Sequence, residues 1–234
     1  PIADMNAGMF SVYGLLTAYI NKLKTGNGQY LEISLLEAAL AYTVWESAGY
    51  FATGEVAGPL GSSHRNSAPY QALETSDGHI IVGAPNQPNW ERLAIAFGCE
   101  DLIARDEYTD NAGRLVNRAK LEELQLSTTT KTTDEWLAIL EEAGVPAGPI
   151  LNMEQIWADP QVQDRGMEAV LEHPTAGTTK NIGVAAKLYG TPGRITEPAP
   201  LLGQHTREVL TGAGYSEEEI ANLVESGAAV TNDI

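Results

Sequence analysis

Asp4 is the residue whose position most favours chemistry, because it stands at the start of the apolar run MNAGMFSVYGLLTAYI. An aspartate at the head of a helix is by default an N-cap, whose side-chain oxygen accepts a hydrogen bond from a backbone N–H of the first turn. The same location keeps a carboxylate ionised through the helix dipole and the free amides, which suits a nucleophile. The two roles are compatible, and residue type alone leaves both open.

A second group of candidate residues lies in the segment GPLGSSHRNSAPY, within a stretch without periodicity from residue 55 to residue 69. A loop of this length in a compact protein is usually functional or a linker. Small residues let backbone N–H groups approach a substrate closely and stabilise a developing oxyanion. The candidate substrate-binding residues are Gly58, Gly61, Ser62, Ser63 and His64. For His64, a solvated loop histidine and a substrate contact both remain open.

The other reactive residues do not point to a metal site, a disulfide or a hydrolase. The four histidines are scattered, and neither an HExxH nor an EF-hand pattern occurs, so we expect no metal. Ser62 and His64 lack the GxSxG motif of a hydrolase nucleophile. Cys99 is the only cysteine, which favours a packed apolar thiol and a cytoplasmic location. Arg114 and Arg118 are spaced i and i+4, which predicts a solvated or ion-paired helix face.

The charge of the chain excludes two classes of partner. Its 31 acidic and 14 basic residues give a formal net charge of -17. Such a protein repels phosphate backbones and anionic lipid, so we expect neither nucleic acid nor a membrane as a partner. No apolar run approaches the roughly 20 residues that a membrane-spanning helix needs.

Periodicity predicts helices and strands in the mixed order of an α/β protein. Residues 5–24 are apolar on most sides and predict a helix buried in a larger body. The stretch GQYLEIS predicts a strand, and a second helix follows as far as Gly54. YQALETSDGHIIVGA predicts a hairpin, and further helices and weaker strands complete the chain. Four tryptophans on helical patterns are expected in the core: Trp45, Trp90, Trp136 and Trp157.

The order of seven segments resembles the class III CoA-transferase family of the CaiB/BaiF type, which includes formyl-CoA transferases and acyl-CoA racemases. The segments are the helix headed by Asp4, TGNGQYLEISLLEA, APYQALETSDGHIIVGA, GRLVNR, EWLAILEEAGVPAGPI, DPQVQDRG and APLLGQHTREVL. The resemblance covers nearly the whole chain. It implies that Asp4 is the catalytic aspartate, and that a Rossmann-like N-terminal region of the family is absent through truncation, a partial gene or proteolysis.

The resemblance implies a fold and a reaction. The fold is α/β, with a partial Rossmann-like large domain and a small α+β domain, in a family of interlocked homodimers. Asp4 would transfer CoA between an acyl-CoA and a small carboxylic acid through a mixed anhydride and an aspartyl-CoA thioester. No cofactor is expected, because the coenzyme A thioester is the substrate. The loop that holds Gly58 and Gly61 would cover the active site.

Two alternatives remain open under the same resemblance. An acyl-CoA racemase of this family uses an assisting carboxylate after the hairpin, and the corresponding residue here is Asn86, which favours transfer. A non-catalytic domain with a structural role is the other alternative.

The resemblance and the periodicity together predict four regions. Residues 1–55 form the remainder of the large domain as helix, strand and helix, and residues 56–70 form a linker and active-site loop. Residues 71–165 form the small α+β domain, and residues 166–234 return to the large domain.

Overall fold

The computed structural model describes residues 1–121, 124 and 127–232. Its helices are α1 (Ile2–Thr25), α2 (Leu35–Leu40), α3 (Val44–Thr53), α4 (Gln87–Ala96), α5 (Asn111–Val116), α6 (Thr133–Glu142), α7 (Met153–Ala158), α8 (Pro160–Asp164), α9 (Thr206–Gly212) and α10 (Glu217–Glu225). Short 3-10 helices span Glu100–Leu102, Asp106–Tyr108 and Arg118–Leu121. The strands are β1 (Tyr70–Glu74), β2 (His79–Gly83), β3 (Ala147–Pro149), β4 (Glu168–His173) and β5 (Gly177–Ile182). The chain is thus a mixed α/β protein.

The first region contains helices but no strand among its described residues. The predicted strand in GQYLEIS is wrong, because residues 27–34 form no strand and pair with none in the part of the chain that the structure describes. This segment instead lies along α1, where Gly14 leaves room for the side chain of Leu31. The predicted second helix is divided into α2 and α3, and the hydroxyl of Thr43 donates to the carbonyl of Leu40 at the break.

Helix α1 is apolar on most sides, as predicted, but its expected burial is wrong for this chain. Asn6 is its buried residue, whereas Met5 is 66% exposed and Leu23 is 67% exposed. Lys22 and Lys24 lie in the last turn, and Gly26 ends the helix in the left-handed conformation, with φ of 79°. The helix therefore has well-formed ends and a wide apolar surface.

The hairpin of β1 and β2 agrees with the prediction. It turns through residues 75–78, and a three-stranded sheet orders its strands β1-β2-β3. The third strand is held through Gly83, whose N–H donates to the Pro146 carbonyl at 2.9 Å. At the other end of this pairing, the N–H of Ile150 donates to the His79 carbonyl at 3.0 Å.

The chain divides into two compact units, of which the first comprises Pro1–Asp77 and Ile81–Ala147. Its core lies around Trp90 and Trp136, whose predicted burial is confirmed, and includes Leu73, Val82, Leu93, Tyr108, Leu121, Leu124 and Leu140. The Nε1–H of Trp136 donates to the Thr128 carbonyl at 2.6 Å. The predicted capping box of Thr132 and Glu135 begins α6. The predicted helix in AGRLVNRAKLEELQL is interrupted near Asn117, and part of it falls outside the described residues.

The second unit comprises Gly78–Ile80 and Gly148–Ile234. Strands β4 and β5 pair antiparallel, with Glu168 opposite Ile182 and His173 opposite Gly177. Asp159 caps α8 with Pro160 at the first helical position, as predicted. Ser216 and Glu219 form the predicted capping box of α10. Over the whole described chain, no helix combines the length and hydropathy that crossing a membrane requires.

Candidate active site

Asp4 lies in the first turn of α1 and its side chain is exposed. The helix begins at Ile2 with Pro1 at the N-cap, so the interpretation of Asp4 as the N-cap is wrong. The N–H of Met5 donates to the Pro1 carbonyl at 3.0 Å and closes the first helical turn. The N–H groups before it have no acceptor within the helix, and the positive end of the helix dipole lies in this turn. Asp4 therefore lies at this end of the helix without a cap bond, and its role as a nucleophile stays a prediction.

The two predicted serines join the candidate loop to strand β1. The Oγ of Ser62 accepts a hydrogen bond from the N–H of Ala72 at 3.2 Å. The hydroxyl of Ser63 donates to the Gln71 Oε1 at 2.9 Å. The N–H of His64 donates to the Tyr70 carbonyl at 2.8 Å and adds a third hydrogen bond between the loop and β1. The serines therefore fix the loop against the sheet, and this role was not predicted from the sequence.

The two predicted glycines lie in the exposed first half of the loop. Gly61 has a φ of 60°, which an L-residue adopts only with strain, and it allows the chain to turn toward Ser62. The carbonyl of Gly58 accepts a hydrogen bond from the Nη2 of Arg65 at 2.8 Å. The glycines thus shape the turn, and a direct approach to substrate remains a prediction.

His64 is half-buried between two aromatic rings. Its imidazole ring stacks on the ring of Tyr70. It also makes an edge-to-face contact with the ring of Trp45, with the two centroids 4.7 Å apart. The Nδ1 of His64 accepts a hydrogen bond from the N–H of Asn66 at 3.1 Å, so the neutral ring carries its proton on Nε2. The prediction that Trp45 belongs to the core is wrong, because this side chain is 63% exposed.

A cavity of about 610 Å³ opens beside the loop. Its lining includes Trp45, Glu46, Tyr50, Gly58 and Arg65. The Nε of Arg65 lies 2.6 Å from the Oε2 of Glu46, so the cavity wall carries an ion pair. Of the predicted site residues, Gly58 lines this cavity and Asp4 does not.

Arg114 has a role that the sequence did not predict. Of the predicted solvated or ion-paired helix face, the solvated alternative is wrong for Arg114, because the side chain is 1% exposed. Its Nε donates to the Ala68 carbonyl at 2.7 Å, and its Nη1 donates to the Gln87 Oε1 at 2.7 Å and to the Tyr108 carbonyl at 3.0 Å. The guanidinium also lies over the Trp90 ring at 5.5 Å. Burial lowers the pKa of Arg114, and nearby Asp110 opposes that effect.

Arg118 completes the contact of this region with the loop. Its Nη2 donates to the carbonyl of His64 at 2.6 Å and lies 3.3 Å from the carbonyl of Arg65. The loop is the feature of the sequence from which the contacts of both arginines could have been predicted. A segment without helix or strand leaves its carbonyls in need of donors, and arginine carries five N–H donors.

The described contact of Asn86 is that of a helix cap. Its Oδ1 accepts a hydrogen bond from the N–H of Asn89 at 2.9 Å at the start of α4. Within the described part of the chain, His, Cys, Asp and Glu side chains form no group of three that could hold a metal.

Fold and site together define an α/β protein with an exposed carboxylate at a helix N-terminus and a loop hydrogen-bonded to a small sheet. The model of CoA-transferase family III matches residues 1–206. The chain belongs to CoA-transferase family III.

Relatives and a solved structure agree with this assignment. Human "Succinyl-CoA:glutarate CoA-transferase" is 32% identical over 228 residues, which are 97% of this chain and 52% of the relative. "Succinyl-CoA:mesaconate CoA-transferase" of Haloarcula marismortui is 32% identical over 232 residues, which are 96% of this chain and 56% of the relative. A CAIB/BAIF family protein from Brucella suis matches with a TM-score of 0.72 and 28% identity, over 90% of this chain and 55% of that one. The chain spans about half the length of the curated relatives it matches.

Proposed function

We propose that the protein transfers coenzyme A from an acyl-CoA donor to a carboxylic acid acceptor, with Asp4 as the nucleophile. The observation that carries this proposal is the family match, which includes Asp4 and extends over residues 1–206. The exposed position of Asp4 in the first turn of α1 supports it, because an ionised carboxylate is a competent nucleophile toward a thioester.

The proposed reaction begins with two exchanges at Asp4. A carboxylate oxygen of Asp4 attacks the thioester carbonyl of the donor, the C–S bond breaks, and CoA leaves as a thiolate. This step forms a mixed anhydride and is favoured by the thiol pKa of about 8.5. The thiolate then attacks the aspartyl carbonyl of the anhydride. The donor acid leaves as a carboxylate, and Asp4 carries CoA as a thioester.

Two further exchanges complete the cycle. The acceptor carboxylate attacks the aspartyl thioester, releases the CoA thiolate again, and forms a second mixed anhydride. The thiolate attacks the acceptor's carbonyl, which forms the new acyl-CoA and returns Asp4 as a carboxylate. No net proton is taken up, and no redox change occurs.

Each tetrahedral intermediate needs hydrogen-bond donors for its oxyanion. We assign one such role to the Nε2–H of His64, because Nδ1 accepts from the Asn66 N–H and leaves Nε2 as the donor of the neutral ring. Backbone N–H groups around Gly58 and Gly61 are further candidates, since their side chains leave the backbone accessible. In this proposal, the loop covers the acyl group while Asp4 reacts.

The printed names of the relatives support a proposed substrate class. Their printed names include glutarate, mesaconate and D-citramalate as acids, each with succinyl-CoA. We therefore propose succinyl-CoA as donor and a dicarboxylic acid as acceptor, with no further cofactor. We further propose a cytoplasmic homodimer, since the wide exposed apolar surface of α1 is typical of a face that is covered in an assembly.

The experiment that tests the proposal is a transfer assay with the full-length protein. Succinyl-CoA is mixed with glutarate, mesaconate, citramalate or oxalate, and the new acyl-CoA is identified by mass spectrometry. We expect transfer by the wild type, loss of transfer in Asp4→Asn, and retention in Asp134→Asn. Asp134 is the matched control, because it is an exposed aspartate in the first turn of α6.

The same assay in D₂O distinguishes the racemase alternative. Exchange of the α-proton of a branched acyl-CoA without formation of a new acyl-CoA would contradict CoA transfer. The absence of both reactions would favour a structural domain.

A further inference from the structure

Three side chains near α5 hold one half of the loop by its backbone. We call Asn111, Arg114 and Arg118 the clamp, and residues 64–68 the clamped segment. The Nδ2 of Asn111 donates to the Asn66 carbonyl at 2.9 Å, and its Oδ1 accepts from the Ala68 N–H at 3.1 Å. Arg114 donates to the Ala68 carbonyl, and Arg118 donates to the carbonyls of His64 and Arg65. The clamp therefore binds backbone groups of four of the five residues in the clamped segment.

The other half of the loop has far fewer described contacts. Residues 55–61 are exposed, and three described hydrogen bonds reach them. Arg65 donates to the Gly58 carbonyl, the Glu55 N–H donates to the Thr53 hydroxyl, and the Ser63 N–H donates to the Leu60 carbonyl. Segments with few buried contacts and few hydrogen bonds open at a lower free-energy cost than the rest of a protein. The clamp thus separates a firmly held segment, which carries His64, from an exposed segment, which carries the two glycines.

We infer that Asn111, Arg114 and Arg118 are positioning residues, which fix His64 and the base of the loop so that residues 55–61 close over the acyl-CoA in one orientation. The catalytic part of this inference rests on the proposed function, whereas the holding of the segment does not. Arg118 acts through the His64 carbonyl, two bonds from the Cα that carries the imidazole. A shift of that carbonyl moves the ring away from Tyr70 and Trp45.

The clamp uses arginine because one guanidinium donates to several acceptors in a fixed plane. Arg114 is buried and also joins Gln87 and Tyr108, so its substitution disturbs the fold as well as the loop. Arg118 is half-buried, and its described bonds go to the clamped segment. Arg118 is therefore the residue to change.

The test uses limited trypsin digestion, because the Arg65–Asn66 peptide bond lies inside the clamped segment. Trypsin cleaves after arginine only when the chain around the bond has opened. In the full-length wild type we expect protection of this bond. In Arg118→Gln we expect cleavage after Arg65 to be faster by about tenfold, because a charge-assisted hydrogen bond is lost. The matched control is Lys120→Gln, which removes an exposed positive charge two residues away and leaves cleavage unchanged.

A second variant tests the clamp independently of Arg118. Asn111→Asp keeps the shape and the acceptor for the Ala68 N–H but removes the donor to the Asn66 carbonyl. We expect faster cleavage after Arg65 in this variant too. Unchanged cleavage in both variants would overturn the inference.

Kinetics separate positioning from a purely structural role. For Arg118→Gln we expect kcat/KM of CoA transfer to fall by about tenfold at an unchanged Tm, with partial recovery in Arg118→Lys. Faster cleavage with an unchanged kcat/KM would overturn the positioning role. If the wild type transfers no CoA, the proposed function fails, whereas the digestion still decides whether the clamp holds the segment.

Discussion

The imidazole ring of His64 lies parallel to the ring of Tyr70, with centroids 5.1 Å apart and planes inclined by 7°. This stack connects the candidate loop to the first residue of β1. The N–H of His64 also donates to the Tyr70 carbonyl, so backbone and side chain are fixed by the same neighbour. The orientation of His64 therefore depends on the sheet.

Removal of the stack should weaken catalysis through His64. Tyr70→Ala is expected to lower kcat/KM about two- to tenfold, because an aromatic pair contributes about 0.5–1.5 kcal/mol beyond its buried area. Tyr70→Phe keeps the ring and should stay close to wild type. Steady-state kinetics with succinyl-CoA would measure both variants. Equal losses of kcat/KM in the two would show that activity depends on the Tyr70 hydroxyl and not on the stacked ring.

Replacement of His64 tests its role as a donor. His64→Ala should reduce kcat by about 10²-fold or more, the usual effect of removing one oxyanion donor. His64→Gln keeps an N–H at a similar reach and should recover part of that loss. Single-turnover kinetics would measure the chemical step directly. If His64→Ala keeps full activity, the imidazole does not contact the reacting group.

Arg114 should be one of the largest contributors to the stability of the first unit. Arg114→Met removes the guanidinium that donates to the Ala68, Gln87 and Tyr108 oxygens, and a buried acceptor that loses its donor costs about 1–3 kcal/mol. We expect the free energy of unfolding to fall by about 3 kcal/mol or more, measured by urea denaturation. Lys120→Met, the same type of change at an exposed site, should stay within about 0.5 kcal/mol. A similar small effect for Arg114→Met would contradict this assignment.

Asp77 should make stability depend on pH. Its pKa lies below the ordinary value of 3.8, first because the Thr133 N–H donates to it at 2.8 Å and then because the Thr133 hydroxyl donates at 3.0 Å. A lowered pKa stabilises the fold fully above the unfolded value, and this contribution disappears as pH falls through the folded value. Asp77→Asn should therefore lower the urea midpoint at pH 7, and the difference from wild type should shrink below about pH 3.8. A difference that stays constant with pH would exclude the charge of Asp77 as its cause.

Local signals predicted the elements that depend on local contacts. The turn at Asp77, the capping box of Thr132 with Glu135, and the Asp159 cap followed by Pro160 are confirmed. Each depends on hydrogen bonds between residues a few positions apart, which a single sequence displays. The family assignment is confirmed as well. It depended on the order of seven segments and not on any single motif.

Elements that depend on distant partners could not be predicted from local patterns. The stretch GQYLEIS alternates like a strand but has no neighbouring strand among the residues that the structure describes. Strand β3, by contrast, pairs with β2, and Pro146 and Ile150 beside it bond to Gly83 and His79. The spacing of Arg114 and Arg118 predicts a solvated or ion-paired helix face, whereas the structure buries Arg114. Its burial follows from Ala68, a residue 46 positions earlier in the chain. In the candidate site, the sequence indicated the loop but not the side chains that hold it.

The most direct test of the proposed function is the chemical state of Asp4 during turnover. The full-length protein is incubated with succinyl-CoA, treated with hydroxylamine, digested, and the peptide that contains Asp4 is read by mass spectrometry. Hydroxylamine converts an aspartyl anhydride or thioester to a hydroxamate. We predict a hydroxamate at Asp4 in the wild type and in Asp134→Asn, and none in Asp4→Asn. Formation of new acyl-CoA with an unmodified Asp4 would contradict covalent transfer through this residue.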